Sequence, residues 1–292
     1  MFSLPNNSRV INRFFTKKVL ADLIQTGSNE VYSTVVKRYI VDPTEKTNGK
    51  IISEIYAYLQ DDYRNEYYYM NTLLNKLIVG IHNVNTTTAL SQVRIAGHIA
   101  DFVMINGVGK VYEIKSELDN FDRLNDQLLD YFKAFSYVSV LASEHNLARV
   151  EDVLGQLGEL GESVGIYVLS ERDTIFSKSK GREPKQYNDY LDYRCLFTLL
   201  RKQEYENVLL TFFKETPKVP PVFYFDACLE QFCKIPILTA QELVYKELKK
   251  RNKITQTVLS DIPNELRSVV YFSGLSNKIE KLNGFLKEQY RG

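Results

Sequence analysis

Gly97-His-Ile-Ala-Asp101-Phe-Val-Met-Ile-Asn-Gly107-Val-Gly109-Lys-Val-Tyr-Glu113-Ile-Lys115-Ser116 is the stretch whose reading decides the fold. Asp101 sits in one apolar run and Glu113 with Lys115 in the next, and Gly107 and Gly109 stand between the runs where a hairpin would turn. Side chains alternate across a strand, so Glu113 and Lys115 share one face while Tyr112 and Ile114 share the other. Two carboxylates and an ammonium are therefore expected to converge at the edge of a small sheet. Hard cations take oxygen ligands, and a carboxylate pair can hold one or two while leaving room for water and a phosphate oxygen. A lysine beside them can orient the attacking water or stabilise charge developing on phosphorus. The plainer alternative is a surface hairpin whose Glu and Lys pair with each other. Charged residues make up 25% of the chain, so an Asp followed by Glu-x-Lys also arises by chance.

This pattern resembles the PD-(D/E)xK nuclease superfamily, with Asp101, Glu113 and Lys115 as the matching residues and Ala100 where the motif's name has Pro. Three further features bear on that resemblance. Phe121 to Phe135 reads as an amphipathic helix, with Leu124, Leu128, Tyr131 and Phe135 on one stripe. Gln127 and Tyr131, four residues apart, project from it together. Gln127-Leu-Leu-Asp-Tyr131 resembles the Gln-x-x-x-Tyr element of the RecB-like branch, in which the pair lies beside the metal site and the substrate backbone. Tyr131 as core with Gln127 as a solvated neighbour is the alternative.

Upstream, Asp61 to Val79 suggests a helix ending near Gly80. The resemblance implies that the helix before the sheet contributes a metal-binding Glu, carried over here to Glu66, with Glu54 a weaker candidate. The order of helix, hairpin strands, Glu-x-Lys strand, helix and the strand Tyr137 to Ala142 is that of the superfamily's αβββαβ core, placed at about Asp61 to Leu169. Asn146 to Leu160 reads as a further helix and Val164 to Leu169 as a further strand. The expected fold class is thus α/β, a restriction-endonuclease-like core with helical flanks. Arg64-Asn-Glu66-Tyr, Ser116-Glu-Leu-Asp119, Arg123-Leu, Gln127-Leu and Leu200-Arg-Lys-Gln-Glu-Tyr205 also resemble a little-characterised bacterial branch found on mobile and phage-like elements.

The division expected along the chain is a helical segment over 1–60, the nuclease-like core over 61–175 and a helical domain over 176–292. Val19 to Ile24 and Ile51 to Leu59 supply short amphipathic pieces in the first. In the last, Leu191–Lys202, Tyr205–Phe213, Tyr224–Phe232, Thr239–Arg251, Asn264–Phe272 and Asn277–Tyr290 are separated by Pro217, Pro220, Pro221, Pro236 and Pro263. That domain is read either as a module docking DNA or a protein partner, or as a lid completing the core.

Global composition narrows the alternatives. The 292 residues carry 37 Lys and Arg against 36 Asp and Glu, a net charge of +1, which argues against sequence-blind coating of nucleic acid. Local basic patches remain. Lys178, Lys180, Arg182 and Lys185 suit a loop touching phosphates or a solvated linker. Lys249, Lys250, Arg251 and Lys253 follow the apolar-periodic stretch Ala240 to Leu248, where a helix dipole favours cations. Cys195, Cys228 and Cys233 form neither a Cys-x-x-Cys pair nor an even set, so a reducing cytoplasm is expected, without disulfides or zinc. No secretory h-region precedes the first charges, and no apolar run approaches the roughly 20 residues of a membrane span. His98 lies at an odd offset from Asp101 and is read as structural rather than as a ligand. No Ser/His/Asp set, P-loop or dinucleotide glycine pattern is present.

The expectation is a magnesium- or manganese-dependent nuclease acting on DNA rather than RNA. Glu66, Asp101 and Glu113 would hold the metal, Lys115 would assist the attacking water, and Gln127 and Tyr131 would position the scissile strand. The rival is a non-enzymatic nucleic-acid-binding or regulatory protein that keeps the fold as a scaffold.

Overall fold

A computed structural model describes residues 10–61, 63–117, 119–177, 179–252 and 254–292. By contacts the chain divides into two compact units, Met1–Asn85 together with Ile254–Gly292, and Thr86–Lys253. The first segment of unit one is helical: α1 (Lys17–Thr26), α2 (Glu30–Tyr39), α3 (Asn48–Asp61) and α4 (Glu66–Leu73). Asn29 caps α2, its side chain accepting the amides of Val31 at 2.8 Å and Tyr32 at 3.3 Å, with Glu30 in the first turn and Lys37 and Arg38 in the last, as the helix dipole favours. The helical run ends at Ile81, next to the expected Gly80, but its last two turns are not α-helical. After α4 the chain widens into a π-helix over Leu74–Ile81, closed by the His82 amide donating five residues back to Leu77 at 2.9 Å.

Unit two is built on a six-stranded sheet in sequence order, β1 (Thr88–Ile95), β2 (His98–Asn106), β3 (Val108–Lys115), β4 (Tyr137–Ser143), β5 (Gly165–Leu169) and β6 (Ile175–Phe176). The pairs β1–β2, β2–β3 and β5–β6 are antiparallel, and β3–β4 and β4–β5 are parallel, so the sheet is mixed and the fold α/β. The hairpin turns at Gly107, whose φ of +72° is easiest for glycine. The parallel connections run through α5 (Leu124–Phe132) and through α6 (Leu147–Gly155) with α7 (Gly158–Ser163). Helices α8 (Tyr193–Thr198), α9 (Lys202–Phe213), α10 (Tyr224–Phe232) and α11 (Ile237–Lys249) belong to the same unit.

One face of the sheet carries the core of unit two. Val103, Val111, Val138, Val140 and Ile166 pack with Leu128, Tyr131 and Phe132 of α5, Leu154 of α6, and Val244 and Leu248 of α11. The helix read over Phe121 to Phe135 is shorter at both ends. Its last turn stops because neighbouring elements capture its carbonyls: Ala134 accepts from Gln241 Nε2 at 3.1 Å and Tyr245 Oη at 3.0 Å, and Lys133 accepts the Asp192 amide at 2.9 Å.

The single helix expected over Asn146 to Leu160 is broken into α6 and α7 at Gln156 and Leu157, where Gly158 opens α7 with a φ of +55°. The two then pack so closely that a Cβ built on Gly161 would lie 1.9 Å from the Leu154 carbonyl oxygen. Backbone cannot swing aside as a flexible side chain can. Gly161→Ala is therefore expected to destabilise the protein by about 1–3 kcal/mol or more, read as a lower urea midpoint with unchanged slope.

Unit one closes with α12 (Gln256–Ser260), α13 (Arg267–Ser273) and α14 (Ile279–Lys287). Polar side chains of the first segment bind the backbone of this last one. Asn48 donates to the carbonyls of Phe285 at 3.1 Å and Glu288 at 3.2 Å, and Tyr67 Oη donates to the Glu265 carbonyl at 2.6 Å. Asn71 donates to the Asn264 carbonyl at 2.9 Å and accepts the Ser268 amide at 2.9 Å. Among the described residues no helix is long and apolar enough to cross a membrane.

Candidate active site

Register brings the motif together. β2 and β3 pair Phe102 with Tyr112 and Val103 with Val111, so one step outward Asp101 stands opposite Glu113, and directly opposed residues share a face. Asp101 accepts the Ile114 amide through Oδ2 at 2.9 Å. Glu113 and Lys115 alternate with Tyr112 and Ile114, which places them with Val111 on the face covered by α5. On the opposite face Tyr112 packs edge-on against Phe102 at 5.9 Å and Tyr167 at 5.2 Å.

Glu113 is the centre of the site and is only 2% exposed. Its Oε1 accepts from Lys115 Nζ at 2.9 Å and from Gln127 Nε2 at 2.6 Å. Its Oε2 lies 2.7 Å from the Tyr131 hydroxyl, which also sits 2.9 Å from the Ile99 carbonyl. Lys115 Nζ completes the ring by donating to Gln127 Oε1 at 2.9 Å. A charge buried this deeply requires such partners, because desolvation without compensation costs several kcal/mol. Burial first, then the charges of Glu113 and Asp101, push the Tyr131 phenol far above its ordinary value, so it stays a neutral donor. The helical spacing of Gln127 and Tyr131 therefore delivers both side chains to one carboxylate, and Tyr131 is at once buried core and a partner of Glu113.

A second clasp holds α5 at its other side. Asp130 Oδ2 accepts the Gly97 amide at 2.9 Å and lies 2.7 Å from His98 Nδ1, and its Oδ1 accepts from Lys133 at 2.6 Å. His98 thus ties the β1–β2 turn to α5. Burial raises the Asp130 carboxyl, but the hydrogen bonds from Lys133, His98 and Gly97 outweigh it and hold the group below the usual carboxylate range. A depressed folded-state pKa contributes stability that is complete above the unfolded value, about 3.9, and is lost as pH falls through the lower folded value. Asp130→Asn is expected to lower stability at neutral pH and to flatten its fall below about pH 4, measured by urea unfolding across that range.

Gln92 is a residue the sequence reading missed. The β1–β2 ladder pairs Ser91 with Phe102 and Val93 with Ala100 but skips the intervening pair, Gln92 with Asp101, because Gln92 adopts a left-handed φ of +53°. That conformation is strained for a residue with a Cβ. It interrupts the ladder directly across from the candidate acid.

Glu66 opens α4 in unit one, after the cap residue Asn65, and is exposed. Glu54, the weaker candidate, pairs with Lys46 at 2.8 Å. Among the described residues no group of three or more His, Cys, Asp or Glu side chains is placed to hold a metal ion. The loop read as either phosphate-touching or a solvated linker is tied down: Lys180 pairs with Glu144 at 2.9 Å, and Arg182 donates to the carbonyls of Val164 at 2.8 Å and Gly161 at 2.5 Å. Lys178 and Lys253 lie outside the described residues.

The family model of bacteriophage P4 protein cII matches residues 59–268. The chain belongs to that family. The matched span includes Glu66, Asp101, Glu113, Lys115, Gln127 and Tyr131, so the whole candidate site lies within the cII-family region. No curated protein and no solved structure matches the chain.

Proposed function

We propose that the chain is a divalent-metal-dependent phosphodiesterase of the PD-(D/E)xK type, cutting DNA. The observation that carries this reading is the convergence of Asp101, Glu113 and Lys115 on one sheet face, with Gln127 and Tyr131 delivered to the same carboxylate from α5. The element order of helix, three strands, α5 and β4, with β3 and β4 parallel, supports the finer assignment to a restriction-endonuclease-like core. The family's description as a bacteriophage protein is in keeping with the mobile-element lineage read from the sequence, and with a role in defence, restriction, repair or element maintenance.

The donor chemistry fits a hard cation. Asp101 and Glu113 offer oxygen ligands from opposed positions of one hairpin. A carboxylate has about four lone-pair sites; Lys115 and Gln127 occupy two on Glu113 Oε1 and Tyr131 one on Oε2, so Glu113 retains acceptor capacity that, with Asp101, would hold a cation. Magnesium or manganese bound there would polarise a phosphoryl oxygen and supply an acidic water. Lys115 donates to the buried Glu113 at 2.9 Å and would present its ammonium to charge developing on phosphorus. Gln127 and Tyr131 fix the carboxylate's orientation and through it would position the scissile strand. The mechanism uses only residues of unit two and leaves Glu66 out.

One observation favours the rival reading. Three donors already satisfy Glu113, an arrangement equally suited to a scaffold that binds nucleic acid without cutting it. Incubation with single-stranded, duplex and branched DNA in magnesium or manganese, beside a chelator control, separates the two. Metal-dependent cleavage is the expected result, and binding without cleavage in either metal would establish the scaffold.

A further inference from the structure

We propose that the cleft between α9 and α11 is a docking groove for single-stranded nucleic acid. Val208, Thr211, Leu243, Lys246, Lys249 and Lys250 line it, around a cavity of roughly 420 Å³. Val208 and Leu243 are buried and form an apolar floor. Glu247 also borders the cleft, but its carboxylate is neutralised by Lys250 and accepts from Asn207 at 3.1 Å. Among the described residues, neither Lys246 nor Lys249 is engaged in an ion pair. The groove therefore presents a net positive charge to an anionic partner.

A helix dipole explains why lysines are tolerated at the end of α11. It does not explain why they border a cleft with an apolar floor. An aromatic ring adds a second signal. Thr211 and Phe212 lie three and four residues beyond Val208, so they share its stripe on α9, and Phe212 is 42% exposed. Lysines that track phosphates beside an exposed ring on which a base can stack are the elements of single-strand recognition.

The groove also lies on the side of the sheet that holds the site. The Tyr245 ring of α11 stacks on Phe135 at 5.3 Å, and a Cβ at Gly109 would come within 2.6 Å of that ring. Gly109 alternates onto the face of Val111 and Glu113. The Lys249 carbonyl accepts from Thr88 Oγ1 at 2.9 Å, and Thr88 pairs with Ile105, four residues or about 13 Å along β2 from Asp101. A strand lying in the groove is thus within a few nucleotides of the carboxylates. The choice of nucleic acid as occupant rests on the proposed nuclease reading.

The test is fluorescence anisotropy of a labelled oligothymidylate of about 15 nucleotides, and of a duplex of that length, in chelator and over salt from about 0.05 to 0.2 M. Wild type should bind the single strand. Lys246→Glu/Lys249→Glu should bind it at least about tenfold more weakly, with the salt slope reduced by about 1.4, or 0.7 for each lost contact. Lys246→Gln/Lys249→Gln, which preserves length and apolar stem, should move in the same direction if the reversal disturbs folding. Phe212→Ala should weaken binding about 5- to 150-fold with the slope unchanged. Equal affinity and slope in wild type and the lysine variants, or no binding by wild type, would overturn the proposal. A loss confined to duplex, with Phe212→Ala silent, would make the cleft a duplex-backbone contact instead. Binding through the groove without metal-dependent cleavage removes the nuclease reading and keeps the groove; cleavage that ignores the lysine variants does the reverse.

Discussion

Lys115→Ala is expected to slow DNA cleavage by about a hundredfold or more while leaving manganese bound. The ammonium is not a ligand, so its loss removes a transition-state charge and not a metal contact. Lys115 is 7% exposed and holds both Glu113 and Gln127. Deleting one partner of a buried pair leaves the other uncompensated, so a stability loss of about 3–5 kcal/mol is also expected. The two effects separate experimentally: urea unfolding gives the stability, and single-turnover cleavage at a temperature where the variant stays folded gives the rate. Manganese titration calorimetry completes the test. Cleavage at the wild-type rate would mean that the lysine is structural and the mechanism wrong.

Asp101→Ala is expected to abolish both manganese binding and cleavage. Its carboxylate does two jobs, facing Glu113 across the hairpin and accepting the Ile114 amide at 2.9 Å. Alanine removes both and leaves a strand amide without its acceptor, at a cost of about 1–3 kcal/mol. Asparagine keeps the acceptor and loses the charge. Asp101→Asn should therefore unfold close to wild type yet fail to bind manganese or to cut. An Asn variant that cuts normally would remove Asp101 from the metal site.

The cluster of Asp101, Glu113, Lys115, Gln127 and Tyr131 was legible from sequence because its parts are local, whereas Glu66 was carried over from a resemblance and is not part of it. Alternation places Glu113 and Lys115 on one face, glycine marks the turn, and a four-residue helical spacing delivers Gln127 and Tyr131 to Glu113. Strands β4 and β5 fall within one residue of the apolar runs read for them. What escaped depends on contacts between distant residues or on single backbone angles. The break between α6 and α7 comes with a positive φ at Gly158, which periodicity does not register. The left-handed Gln92 has no glycine or asparagine to announce it. The end of α5 is set by Gln241, Tyr245 and Asp192, whose capture of its carbonyls no local pattern encodes. Helix α2 is a different case, since Asn29 and Glu30 form an ordinary helix start that the apolar reading passed over.

The composition of unit one from two separated segments, Met1–Asn85 and Ile254–Gly292, bears on the order in which the chain acquires structure during synthesis. Asn48, Tyr67 and Asn71 find their backbone partners between Asn264 and Glu288, so the first helices leave the ribosome long before the residues that satisfy them. Unit two is a continuous segment and can close its sheet as soon as its own residues emerge. Contacts of such long sequence separation carry a loop-closure cost that slows their formation. Closure of the intervening residues into a folded unit shortens the effective loop between the two ends. The nascent chain is therefore set to complete its middle first, and to hold the buried polar side chains of its early helices open to water until the last helices arrive.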